Sequence, residues 1–171
     1  MAFFVWIISG LLGAYELGRS LTGLGGPALS LVLTGILALG GAVALLIVVS
    51  RSIRDRDIYA GILLVSTCFV GAIVSAWGAD KWGEASLNKF GYAVNLYRSV
   101  CDGLIFYFLT SLLISGSGLL FTWLRPPVDD APRPFTSLGL EPGHNAFFTV
   151  LGIAEGIIFI AILFTQLLFL K

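Results

Sequence analysis

Charge is what this 171-residue chain has least of. Only 12% of its residues are Asp, Glu, Lys or Arg, while 57% are hydrophobic. Soluble domains carry roughly 25% charged residues, so the charge present is too little to cover a water-facing surface. Lipid is the solvent such a chain suits. Lys+Arg and Asp+Glu each number 10, which leaves no formal net charge. The basic residues are scattered through short breaks and form no basic face, which argues against nucleic acid as a partner.

Other scarcities remove particular chemistries. His144 is the only histidine, which excludes bis-histidine haem, His-box di-iron sites and most zinc sites. The two cysteines, Cys68 and Cys101, fall at different depths of their apolar runs, which argues against a disulfide. No lysine lies inside an apolar run, so a retinal Schiff base is not available. Ser115-Gly116-Ser117-Gly118 has part of the G-x-S-G spacing of intramembrane serine proteases, but the first glycine is missing. No histidine lies within a run to act as its base. Gly23-x-Gly25-Gly26 precedes a helix and follows no strand, so it is not a nucleotide loop. No metal site and no cofactor is called for.

What the chain does have is long apolar runs. A bilayer core of ~30 Å needs about 20 apolar residues in a helix, and five runs qualify as spans, near residues 2–17, 28–50, 58–78, 100–124 and 146–170. The fold class expected is all-α, a polytopic transmembrane helical bundle forming a single membrane domain over 1–171. Residues 2–17 are short and lack the positive flank of a signal peptide. A retained first helix is therefore preferred to a cleaved leader with four spans, a third reading being a helix that begins upstream. The breaks are 51–57, 79–99 and 125–145, the last Pro-rich and read as a semi-rigid extended linker.

Trp6, Tyr15, Tyr59, Trp77, Trp82 and Trp123 fall near the ends of spans, where amphipathic rings favour the headgroup region. Arg51, Arg54 and Arg56 make the densest short basic loop, which places it and the N-terminus on the cytoplasmic side. The full count is level: Arg51, Arg54, Arg56, Arg125 and Arg133 against Arg19, Lys81, Lys89, Arg98 and Lys171. Orientation is a lean, and the compartment is not assigned.

Helices in lipid meet through small and hydrogen-bonding residues. Ser30, Thr34, Ala38, Gly41 and Ala44 form one stripe on span two, and Ala60, Thr67, Gly71 and Ser75 one on span three. Span one offers Ser9, Gly13 and Glu16; span five offers Gly152 and Gly156. Before span four, Leu87, Phe90, Val94, Tyr97 and Cys101 recur at helical spacing. That stripe reads as an interfacial helix over 84–98, the alternative being an extension of span four. Ser99-x-x-Asp102 has capping-box spacing, and Asn95, Arg98 and Asp102 share a face. Arg98 and Asp102 are thus a candidate site for a headgroup or an ion at the interface.

Glu155 is the outlier. It lies deep in span five, where an acid costs about 2.5–3.5 kcal/mol. At ~100° per residue, Gln166 falls within about 20° of it. Thr149, Gly152, Gly156 and Gln166 share its arc, away from Ala154, Ile158, Ala161 and Leu168. Glu155, Gln166 and Thr149 form the candidate intramembrane polar site, with Thr34, Ser66, Thr67, Thr110, Ser111 and Glu16 as available partners. The expected state is a protonated acid bonded to a neighbouring hydroxyl. The functional expectation is a non-catalytic accessory or membrane-organising protein, with the lipid bilayer, other membrane proteins or a second copy as partners. The alternative is a small transporter-like or lipid/sterol-binding bundle built around Glu155.

Overall fold

Four of the apolar runs become four long helices. A computed structural model describes residues 1–24, 26–86, 92–125 and 135–138, all within one compact unit, Met1–Gly139. The elements are α1 (Ala2–Leu21), α2 (Pro27–Asp55), α3 (Ile58–Ser86) and α4 (Tyr92–Leu124), followed by a 3-10 turn at Thr136–Leu138. Among the described residues there is no strand. All four helices contain a stretch long and apolar enough to cross a membrane, and they point to an integral membrane protein. The fifth run, 146–170, lies outside the described residues.

Local chemistry sets where the helices start and stop. Pro27 opens α2 at its first turn, where its missing N–H has no partner to lose. Arg56 ends that helix in the left-handed region (φ 53°, ψ 36°), and its carbonyl accepts from Ile58 N–H at 3.1 Å. Thr22 closes α1 by donating its hydroxyl to the Gly18 carbonyl at 2.9 Å, and Gly23 then turns the chain at φ 72°, a conformation glycine adopts freely.

Helix directions follow from the pairs that touch. Gly13 faces Leu37 and Gly41 faces Ser9, so α1 and α2 are antiparallel. Gly18 lies against Leu96 and Val100, and Gly103 against Ala14, so α1 also runs antiparallel to α4. Gly61 meets Leu119, Gly71 meets Phe108 and Gly78 meets Cys101, which makes α3 and α4 antiparallel too. Although a tight turn joins α2 to α3, the two barely touch along their length; α3 packs on α4, and α1 fills the space between α4 and α2. The α1 face that does this is Phe3, Trp6, Ser9, Gly10, Gly13, Ala14 and Gly18, all buried. Its spacing of three and four is one face of a helix.

Three expectations change at this level. Helices outrun the apolar runs: Arg51–Asp55 still belong to α2, and α1 continues to Leu21, taking in Arg19, 3.5 Å from Glu16. Hydropathy senses where lipid ends, whereas the backbone hydrogen-bond ladder continues into water. Second, the described part of 84–98 is no separate interfacial helix, because 84–86 end α3 and 92–98 open α4. Of the apolar stripe, Val94, Tyr97 and Cys101 belong to α4, and Leu87 and Phe90 lie outside the described residues. Third, Ser99 lies two turns inside α4, so Ser99-x-x-Asp102 cannot act as a capping box, which needs a helix start.

Candidate functional site

Two places in the described residues gather polar groups that the fold withdraws from solvent. One is the middle of the bundle, where α1, α2 and α4 meet around Tyr107. Trp6 is fully buried and its indole N–H donates to Ser111 Oγ at 3.0 Å. In return the Tyr107 hydroxyl donates to the Trp6 carbonyl at 2.6 Å. The two rings stack with centroids 6.4 Å apart, and Phe108 stands edge-on to Trp6 at 6.3 Å. Such a cluster fits only because glycine removes the competing side chains. A Cβ on Gly10 would overlap the Tyr107 ring, and one on Gly41 would meet the Tyr107 hydroxyl. One on Gly71 would lie 2.7 Å from the Phe108 ring.

Trp6 therefore does not anchor a headgroup region as its position near a span end suggests. It shares a face with Gly10 and Gly13, and facing decides burial. Tyr15, Tyr59 and Trp123 are exposed, in keeping with positions at the outer ends of helices. Farther along the α3–α4 seam, Cys68 Sγ lies 3.7 Å from Ser115 Oγ, and both cysteines are free and buried.

The other place is the corner between α2 and α3, and sequence reasoning missed it. Asp57 is 1% exposed, the only acidic or basic residue in the buried set of the described residues. Its Oδ1 accepts the Ala60 N–H at 3.1 Å, capping the first turn of α3. Its Oδ2 accepts both the Ser137 hydroxyl at 2.8 Å and the Ser137 N–H at 3.3 Å. The Asp57 carbonyl accepts the Ser52 hydroxyl at 2.8 Å. Nearby, an Arg125 guanidinium N–H donates to the Ile53 carbonyl at 3.0 Å, tying the end of α4 to α2. Tyr59 and Phe135 rings complete the corner at 5.9 Å. An Asp directly before an apolar helical run is an N-cap signature, so the cap was readable; the serine it holds, 80 residues on, was not.

The segment after α4 is accordingly more than an extended linker at 135–138. Ser137 and Leu138 are buried against the corner. Chemically, the corner is one carboxylate meeting three donors, two of them backbone N–H groups, with the start of α3 adding the positive end of a helix dipole. Such an arrangement holds segments together.

The remaining candidates fall as follows. Gly41 and Gly71 stand in the seams already described. Arg98 and Asp102 are both exposed on α4, and no ion pair joins them among the described residues. Thr149, Gly152, Glu155, Gly156 and Gln166 lie outside the described residues. Of the hydroxyls proposed for Glu155, Ser111 already accepts from Trp6. Thr34 and Thr110 donate to carbonyls of their own helices. Thr67 Oγ1 is buried and bonds nothing among the described residues. No group of three or more His, Cys, Asp or Glu suited to a metal comes together among them. No protein-family model, curated protein or solved structure matches the chain.

Proposed function

We propose that the chain is a five-span integral membrane protein with a non-catalytic role, an accessory or membrane-organising component, with its N-terminus on the cytoplasmic side. One observation carries this reading: Trp6, Tyr107 and Asp57 spend their polar groups on bonds that hold separate segments together. Trp6 is bonded to Ser111, Tyr107 to the Trp6 carbonyl, and Asp57 to Ala60 and Ser137. Meanwhile leucine, isoleucine, valine and phenylalanine cover the outside, among them Leu31, Val32, Ile36, Leu39, Phe106 and Leu113, as a surface facing lipid tails or neighbouring helices requires.

The test falls on Glu155, whose depth makes it the residue most able to carry another activity. Glu155→Gln keeps the hydrogen-bonding and removes the titratable proton. In a membrane-organising protein it is made, inserted and retained like wild type, whereas Glu155→Ala lowers abundance. Both are read by quantitative blotting of alkaline-washed membranes. A Glu155→Gln protein at normal abundance that abolishes a proton- or cation-driven flux in reconstituted vesicles would overturn the reading in favour of a transporter.

A further inference from the structure

The two oxygens of Asp57 serve different parts of the chain, and that division has a mechanical consequence. Oδ1 belongs to α3, through the Ala60 N–H. Oδ2 belongs to the turn at 136–138, through both Ser137 donors. We propose that residues 135–138 are a strap that closes on the α2–α3 corner and can leave it while the helices stay folded, with Asp57 Oδ2 as its catch.

Three observations support a detachable strap over a permanent part of the bundle. The turn comprises three residues, and a 3-10 piece that short has no stability of its own. Its attachment is therefore tertiary and includes the Ser137 bonds, the Tyr59–Phe135 ring contact and the burial of Leu138. Next, Phe135 enters the turn at φ 66°, in the left-handed region that a bulky side chain rarely adopts. Closing imposes that conformation and opening relieves it. Finally, three ties of the corner do not pass through the strap. Ser52 holds the Asp57 carbonyl, Arg125 holds the Ile53 carbonyl and Ala60 keeps Oδ1. Opening thus breaks one side of the carboxylate and leaves α2, α3 and the end of α4 joined. It uncovers Asp57 Oδ2, Ser137 and Leu138 together.

Native-state hydrogen exchange on the full chain in lipid vesicles tests this at single amides. In wild type, the Ser137 and Leu138 amides exchange faster than those of the α2 and α4 interiors, through an opening that spares the helices. Asp57→Asn keeps an acceptor for Ala60 and turns the other atom into a donor facing two donors. It speeds Ser137 exchange by at least about tenfold, while Ala60 stays within about threefold of wild type. Should Asp57→Asn fail to insert, Ser137→Ala serves instead, since it removes only the shorter bond; the expected acceleration is about fivefold. The strap is refuted if the 137–138 amides exchange only with the helix interiors in wild type. It is equally refuted if a folded Asp57→Asn or Ser137→Ala protein leaves Ser137 exchange unchanged.

Discussion

Around Tyr107, α1, α2 and α4 are held by contacts spread over many residues, each individually weak. Around Asp57, one carboxylate bonds two turns separated by 80 residues. The middle achieves its closeness by omission, with glycine at positions 10, 18, 41, 71 and 103 letting rings or backbone approach. The corner achieves it by charge, collecting three donors on a single side chain. The difference predicts opposite responses to damage. Filling space should break the middle, and removing an acceptor should loosen the corner without disturbing the helices.

The largest effect is expected where α1 crosses α4. A Cβ on Gly18 would lie 3.1 Å from the Leu96 carbonyl oxygen and 3.2 Å from the Val100 nitrogen. Backbone atoms cannot swing aside as a side-chain tip can. Gly18→Leu should therefore cost about 3 kcal/mol or more, the upper range of overpacking, and lower the melting temperature of the purified protein in detergent. Gly35 supplies the control, because nothing lies within 4 Å of its Cβ position. Gly35→Ala should be neutral or stabilise by up to about 1 kcal/mol through helix propensity. Equal losses at the two sites would mean that close approach is not what glycine provides in α1.

At the corner the expected loss is smaller and local. Asp57→Ala removes the cap of α3, worth about 1 kcal/mol, and leaves the Ser137 donors without their acceptor, at about 1–3 kcal/mol for a buried group. Partial relief is available, since the strap can lift and hydrate Ser137. We expect a net loss of about 2 kcal/mol, with protease sensitivity rising around 135–138 before any change in helix content by circular dichroism. Global unfolding at the same denaturant concentration as the local cleavage would show that corner and bundle form one cooperative unit.

How much of this could be read in advance depends on the range of the interaction. Seams are periodic, so Ser9, Gly13, Gly41, Gly71 and Ser75 can be placed on helix faces from spacing alone. Which neighbour each meets is a matter of topology, and nothing in the spacing says that Gly41 faces Ser9 and Tyr107. Boundaries drawn at charges fell short because Arg51–Asp55 and Arg98 are helical despite their charge. Trp6 illustrates the confusion of two variables. Its sequence position near the end of a run suggested the interface, while its angular position, on the face of Gly10 and Gly13, implied the interior. Angle prevailed, because the Trp6 side chain reaches Ser111 across α4. The Asp57–Ser137 bond had no periodic signature at all.

Trp6 and Tyr107 allow the finest test of the contrast. Trp6→Phe deletes the indole N–H that Ser111 receives at 3.0 Å while keeping an aromatic ring. Tyr107→Phe deletes the hydroxyl on the Trp6 carbonyl at 2.6 Å. Interhelical hydrogen bonds in membranes average about 0.6 kcal/mol, so Tyr107→Phe should cost about that much. Trp6→Phe should cost about 1–2 kcal/mol, because the smaller ring also leaves space beside Phe108. Because α1 is held by Gly18 and Gly103 as well, neither change alone should release it from α4. Combined, the two losses measure whether the bonds act together: each passes through Trp6, one at its indole and one at its carbonyl, so a double variant that loses less than the sum would show shared positioning of that residue. A strictly additive loss would make the middle of the bundle what its glycines imply, an assembly of separate small contacts, in contrast to the single carboxylate at the corner.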